Sequence, residues 1–127
     1  MKIELDINLA GKNRIDAYTN EFISIANIKY RSNLIVSADA IIENWITHDS
    51  SCLTKQDLDP VISLCPEIVL LGTGSHLHFP PDEVMADFNL RQIGFEVMDT
   101  GAACRSYNFL LGEGRQVVAA LLMFEAC

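Results

Sequence analysis

Apolar and polar positions change rhythm near residue 54. Ahead of it, short alternating or β-branched runs dominate: "KIELDI", "IDAYT", "FISIANIKY", "NLIVS" and "AIIENW". Alternation of that kind sends every second side chain to one face of a strand. Turn formers such as Gly11, Asn13, Asn27 and Asn33 separate the runs, so this half predicts hairpins. "DAIIENW" fits either a short strand or a turn and a half of helix. We read it as a strand with Ile42 and Trp45 toward the core.

From Thr54 onward the pattern predicts helix and strand in alternation. "LTKQDLDPVISL" begins with Thr54 and carries Asp57 three residues later, a variant of the capping box. Leu58, Val61, Ile62 and Cys65 then fall on one helical face, and Pro66 ends the helix. "EIVLLG" lacks alternation, as expected of a strand buried on both sides. "PPDEVMADFNLRQ" is helical, with Pro81 in its first turn and Asp82 and Glu83 near its positive end. "GFEVMD" reads as a second buried strand, "GAACRSYNFLLGEG" as a helix with Thr100 at its N-cap, and "QVVAALLMF" as a third strand. Short connections in that order imply parallel strands joined by right-handed crossovers. The expected fold is one α/β domain over 1–127 with three layers, β/β/α. An N-terminal β-rich half joins a C-terminal βαβαβ parallel unit, with the helices over one face of the sheet.

Composition narrows the function classes. Half the residues are hydrophobic and the net charge is −8, which suits a folded domain and disfavours phosphate backbones or anionic lipid as partners. No apolar run approaches the roughly 20 residues of a membrane span. "MKIELDINLA" is too acidic for a signal peptide, so the cytoplasm is the expected location, without direct membrane insertion or nucleic acid binding. The four cysteines, Cys52, Cys65, Cys104 and Cys127, form no CxxC pair and read as reduced, mostly buried thiols.

Two segments carry candidate chemistry. In "LLGTGSHLHFPPDE", Gly72, Thr73 and Gly74 follow a strand, but neither the P-loop lysine nor the third glycine of a dinucleotide fingerprint is present. His76 and His78 could share a metal only with a third ligand that the neighbourhood lacks. The second segment is "EVMDTGAACRSYNFLLGEGR". Asp99 ends a strand, Thr100 sits where the N-cap should be, and Gly101, Ala102 and Ala103 leave the first helical N–H groups unscreened by large side chains. Cys104 would sit in the first turn, where the helix dipole lowers the pKa of an exposed thiol. His76 or His78 could then serve it as a base. Arg105 is the natural partner of Asp99 or of an anion, while Ser106, Tyr107 and Asn108 either contact a ligand or satisfy the fold. Turns at the carboxyl ends of adjacent parallel strands are where open α/β sheets bind ligands.

"LTKQDLDPVISLCPEI", "LLGTGSHLHFPPDEV" and above all "MDTGAACRSYN" resemble a small family found in bacteria, archaea and mitochondria. It includes an assembly factor for respiratory complex I (NADH:ubiquinone oxidoreductase), and most bacterial members have no known function. The resemblance implies a three-layer β/β/α fold with no established activity or cofactor, and its characteristic block falls on residues 99–108. His76 and His78 stand outside the family pattern.

The expectation is a non-enzymatic binding or assembly domain without catalytic residues, metal or cofactor. It would hold a protein partner through a crevice or surface at 72–79 and 99–108, formed by Gly72, Thr73, Gly74, Asp99, Thr100, Gly101, Cys104, Arg105, Ser106, Tyr107 and Asn108. The alternative is an enzyme or binder of a small anionic metabolite at the 100–104 helix start. Either a monomer or a homodimer is compatible with the pattern.

Overall fold

The computed structural model describes residues 12–46 and 48–123; the strand expected at "KIELDI" lies outside them. β1 (Ile15–Tyr18), β2 (Ile23–Ile25) and β3 (Ile28–Tyr30) form an antiparallel three-stranded sheet. The β2–β3 turn is Ala26-Asn27, both at positive φ (53° and 66°), which matches the twist of the flanking strands.

The second sheet combines β4 (Leu34–Ser37), β5 (Ile41–Ile42), β6 (Ile68–Thr73), β7 (Gly94–Met98) and β8 (Val117–Leu122) in the order β5-β4-β8-β6-β7. β6 runs parallel to β7 and β8, while β4 is antiparallel to β8. The N-terminal half therefore supplies both a separate sheet and an extension of the main one. Ile42 and Trp45 pack at the core margin, as the "AIIENW" pattern predicted.

Three helices complete the domain among the described residues: α1 (Asp59–Ile62), α2 (Asp82–Leu90) and α3 (Thr100–Gly112). They divide between the two faces of the main sheet instead of sharing one. The chain steps outward from β6 to β7 through α2, then back past β6 to β8 through α3. Right-handed crossovers taken in opposite directions put their helices on opposite faces.

Packing follows that division. Leu34, Val36, Leu70, Val117, Ala119 and Leu121 face α3 and the small sheet, which contributes Ile15, Ile23 and Ile25. The alternate positions Ile35, Val69, Leu71, Val118 and Ala120 face Leu58, Val61, Val84 and Phe88. The small sheet and α3 thus form one outer layer, and α1 with α2 form the other.

Several local expectations change. Thr54 and Asp57 make the reciprocal capping pair: Thr54 N–H donates to Asp57 Oδ2 (3.0 Å) and Asp57 N–H to Thr54 Oγ1 (3.2 Å). They cap a 3-10 turn, Gln56–Leu58, that runs into the one-turn α1. Cys65 lies beyond that helix at φ 55° and is exposed, as is Cys52, so of the described thiols Cys104 alone is buried. Pro81 stands at the N-cap of α2 instead of inside its first turn. β7 is an edge strand whose residues are exposed or half-buried, because β6 occupies the sheet interior beside it.

Phe88 is 1% exposed and stacks on Phe95 with ring centroids 4.3 Å apart. Phe88→Ala would empty the layer between α2 and the sheet, and urea unfolding should show a loss of about 3–5 kcal/mol.

Candidate functional site

The carboxyl ends of β6 and β7 deliver their turns to the same end of the sheet, and the two turns close on one another. Thr100 N–H donates to Gly74 O (2.9 Å), while Gly74 N–H donates to Thr100 Oγ1 (2.8 Å). The same hydroxyl donates to Leu122 O at the end of β8 (2.6 Å). Thr100 is fully buried, and a Cβ on Gly72 would come within 2.9 Å of Thr100 Cα. Glycine at 72 is what lets the start of α3 touch the sheet.

Asp99, not Thr100, is the N-cap of α3. Its extended backbone and short carboxylate suit that position, and Oδ1 accepts from Ala102 N–H (2.8 Å). Ala103 N–H reaches Asp99 O (2.9 Å). The donors expected to face a ligand at this helix start are largely engaged within the protein.

The helical period sorts the rest of the block. Thr100, Ala103, Cys104, Tyr107 and Leu111 form the buried stripe of α3, while Arg105 and Phe109 lie on the exposed side. Burial pushes the Cys104 thiol up to about 12 against an opposing effect of Arg105. Cys104 is thus held within the buried stripe of α3, whereas His76 and His78 both sit on the exposed turn. Tyr107 is also fully buried; its hydroxyl donates to Asn13 O (2.6 Å), and burial, with Asp39 adding, raises the phenol above its usual range.

Asn108 brackets Ile15 in β1. Its Oδ1 accepts from Ile15 N–H (2.9 Å) and its Nδ2 donates to Ile15 O (2.8 Å), so the side chain mimics a neighbouring strand. Arg105 donates through Nη1 to the Tyr18 hydroxyl instead of pairing with Asp99. Gly101 lies against the same tyrosine, whose ring would be 3.1 Å from an added Cβ. Ser106 is half-buried beside a groove between α3 and β7.

Thr73 organises the other turn. Its hydroxyl donates to His76 O (2.6 Å) and accepts from His78 N–H (3.2 Å). The buried Ser50 hydroxyl donates to His78 O (2.6 Å), fixing the turn from a second side. This pinned backbone leaves Leu77 51% and Phe79 58% exposed. Nearby, bonds from the Ser51 hydroxyl and N–H hold the Asp49 carboxyl below its usual range, with His78 contributing. Sequence reasoning passed over Leu77, Phe79 and Phe109. The available signal was an apolar residue on the polar stripe of α3 and two more in an otherwise polar turn. Among the described residues no three His, Cys, Asp or Glu side chains gather as a metal site.

Two outcomes follow from this geometry. Thr100→Val would leave the buried Gly74 N–H without its acceptor, so chemical denaturation should register a loss of about 1–3 kcal/mol. In the native protein, iodoacetamide should alkylate Cys52 and Cys65 while sparing Cys104. Because that thiol stays protonated below about 12, raising the pH from 7 to 10 should not expose it, and peptide mapping by mass spectrometry would show this.

No helix among the described residues is long and apolar enough to cross a membrane. Residues 15–122 match the family described as "Protein of unknown function (DUF498/DUF598)". The chain is 32% identical over 100 residues to a "13 kDa major membrane protein" of Francisella tularensis, covering 77% of this chain and 81% of that one. It is 43% identical over 110 residues to the "NADH dehydrogenase [ubiquinone] 1 alpha subcomplex assembly factor 3" of Bos taurus; the match takes in 85% of this chain but 59% of that protein. A crystal structure of a Bordetella parapertussis protein superposes with a TM-score of 0.82 at 31% identity, covering 89% of this chain and 97% of its own. The chain belongs to the DUF498/DUF598 family of proteins of unknown function, related to the complex I assembly factor.

Proposed function

We propose that the chain is a non-enzymatic protein-binding domain that assists assembly of a respiratory complex I-type enzyme. Its contact surface is the turn at 75–79 together with the adjoining start of α3. The observation that carries this reading is the pinned turn: Thr73 and Ser50 hold its backbone while Leu77 and Phe79 project outward. A preordered loop loses little conformational freedom when a partner docks, so its exposed apolar area converts more fully into affinity. His76 and His78 within the turn, and Asp49 close enough to His78 to feel its charge, add polar groups of the kind found at an interface rim.

The assembly role is supported by similarity to a relative that carries that name. The block at 99–108 serves this reading mainly by positioning. Thr100, Gly101, Cys104, Tyr107 and Asn108 hold α3 in place, and Asp99 and Arg105 are its exposed charges. The small-anion alternative finds the Ala102 and Thr100 N–H groups already bonded to Asp99 and Gly74.

The test is complementation in cells that make both this chain and NADH:ubiquinone oxidoreductase. Deleting the gene should lower the amount of assembled enzyme on native gels, and the wild-type chain should restore it. A Leu77→Ser, Phe79→Ser variant should keep the wild-type melting curve yet fail to restore assembly. Full rescue by that variant, or normal assembly in the deletion strain, would refute the proposal.

A further inference from the structure

A second surface lies between α3 and the edge strand β7. Because α3 packs chiefly over β6 and β8, it leaves part of the neighbouring sheet uncovered. The result is a groove of about 450 Å³, walled by Ile68, Leu70, Met98 and Leu110. Phe109 stands at its margin with 64% of its surface exposed. Glu96 and Arg105 also line it, and neither makes an ion pair among the described residues. Arg105 has committed one nitrogen to Tyr18, which leaves further donors of its guanidinium for an acceptor outside the monomer.

The patch therefore holds an apolar hollow beside an aromatic projection, and a carboxylate beside a guanidinium. A two-fold interface brings one patch against its own copy, so each feature must meet its complement on the same surface. This patch meets that condition. A partner of single-signed charge would satisfy only one of the two ionic groups.

We infer that the α3–β7 groove is a homodimer interface, in which each copy seats Phe109 in the other's hollow and sets Arg105 against the partner's Glu96. None of the residues lining the groove belongs to the turn at 75–79, and the inference does not depend on the role assigned there. Phe109 acts as the aromatic anchor of a desolvated centre, and the charge pairs at the margin fix the register of the two copies.

The experiment is sedimentation velocity on the full chain at micromolar to high-micromolar concentration, with circular dichroism as a check on folding. The wild type should sediment as a dimer, and Phe109→Ser should sediment as a monomer. Glu96→Arg and Arg105→Glu should each weaken self-association by about tenfold or more, since each places like charges opposite one another. Mixing those two single variants should regenerate a dimer, because each then offers the charges the other lacks. A purely structural role for either residue would not produce that rescue. A wild type that remains monomeric throughout, including one that binds only a different protein through this groove, overturns the inference. So does a dimer that survives Phe109→Ser, or a mixture of the charge variants that stays monomeric.

Discussion

The Thr100 hydroxyl, fully buried, holds three segments that are distant in sequence. It accepts from Gly74 N–H after β6 and donates to Leu122 O at the end of β8, while its own backbone begins α3. A hydroxyl can do both because it carries one proton and two lone pairs, so no donor or acceptor at this junction is stranded. The arrangement also requires a sheet position with no Cβ, and Gly72 provides it. Without that close approach the helix start would stand off from the sheet, and the turns after β6 and β7 would not meet.

With α3 anchored at that end, its remaining polar side chains attach the small sheet. Asn108 completes the hydrogen bonding of Ile15, Tyr107 reaches Asn13, and Arg105 reaches Tyr18. These bonds act where hydrophobic packing alone would allow a three-stranded sheet to slide across the helix. Packing is nondirectional, whereas a paired amide defines one register. The polar richness of residues 99–108 thus answers a structural requirement in large part, and the large exposed apolar side chains among the described residues lie outside that block.

The turn at 75–79 and the α3–β7 groove differ in physical character. The turn at 75–79 presents apolar side chains on a backbone fixed by Thr73 and Ser50. The α3–β7 groove is concave and carries charges of both signs that form no ion pair among the described residues. Both arise from the same topology. The reversal of direction at β6 places β7 at a sheet edge, swings α3 to the opposite face from α2, and leaves the sheet beside α3 partly open.

Local chemistry made much of this legible in the amino-acid order. The alternating runs marked β1 through β5, the Thr54–Asp57 spacing marked a cap that forms as a reciprocal pair, and unbroken apolar runs marked β6 and β8. Those features depend on residues within a few positions of one another, where periodicity and capping act. The "GFEVMD" run could not disclose that β7 is an edge, because strand order is set by how the crossovers return. Likewise Asp99 took the cap that Thr100 was expected to fill, since Thr100 was drawn into bonds with residues 26 and 22 positions away. The sequence by itself determined most of the elements and the resemblance to the family; only the tertiary structure decided which sheet face each helix covers, which polar groups are consumed and which surfaces stay open. The reason is that satisfaction of a buried donor or acceptor depends on atoms brought near by folding, and no local pattern records them.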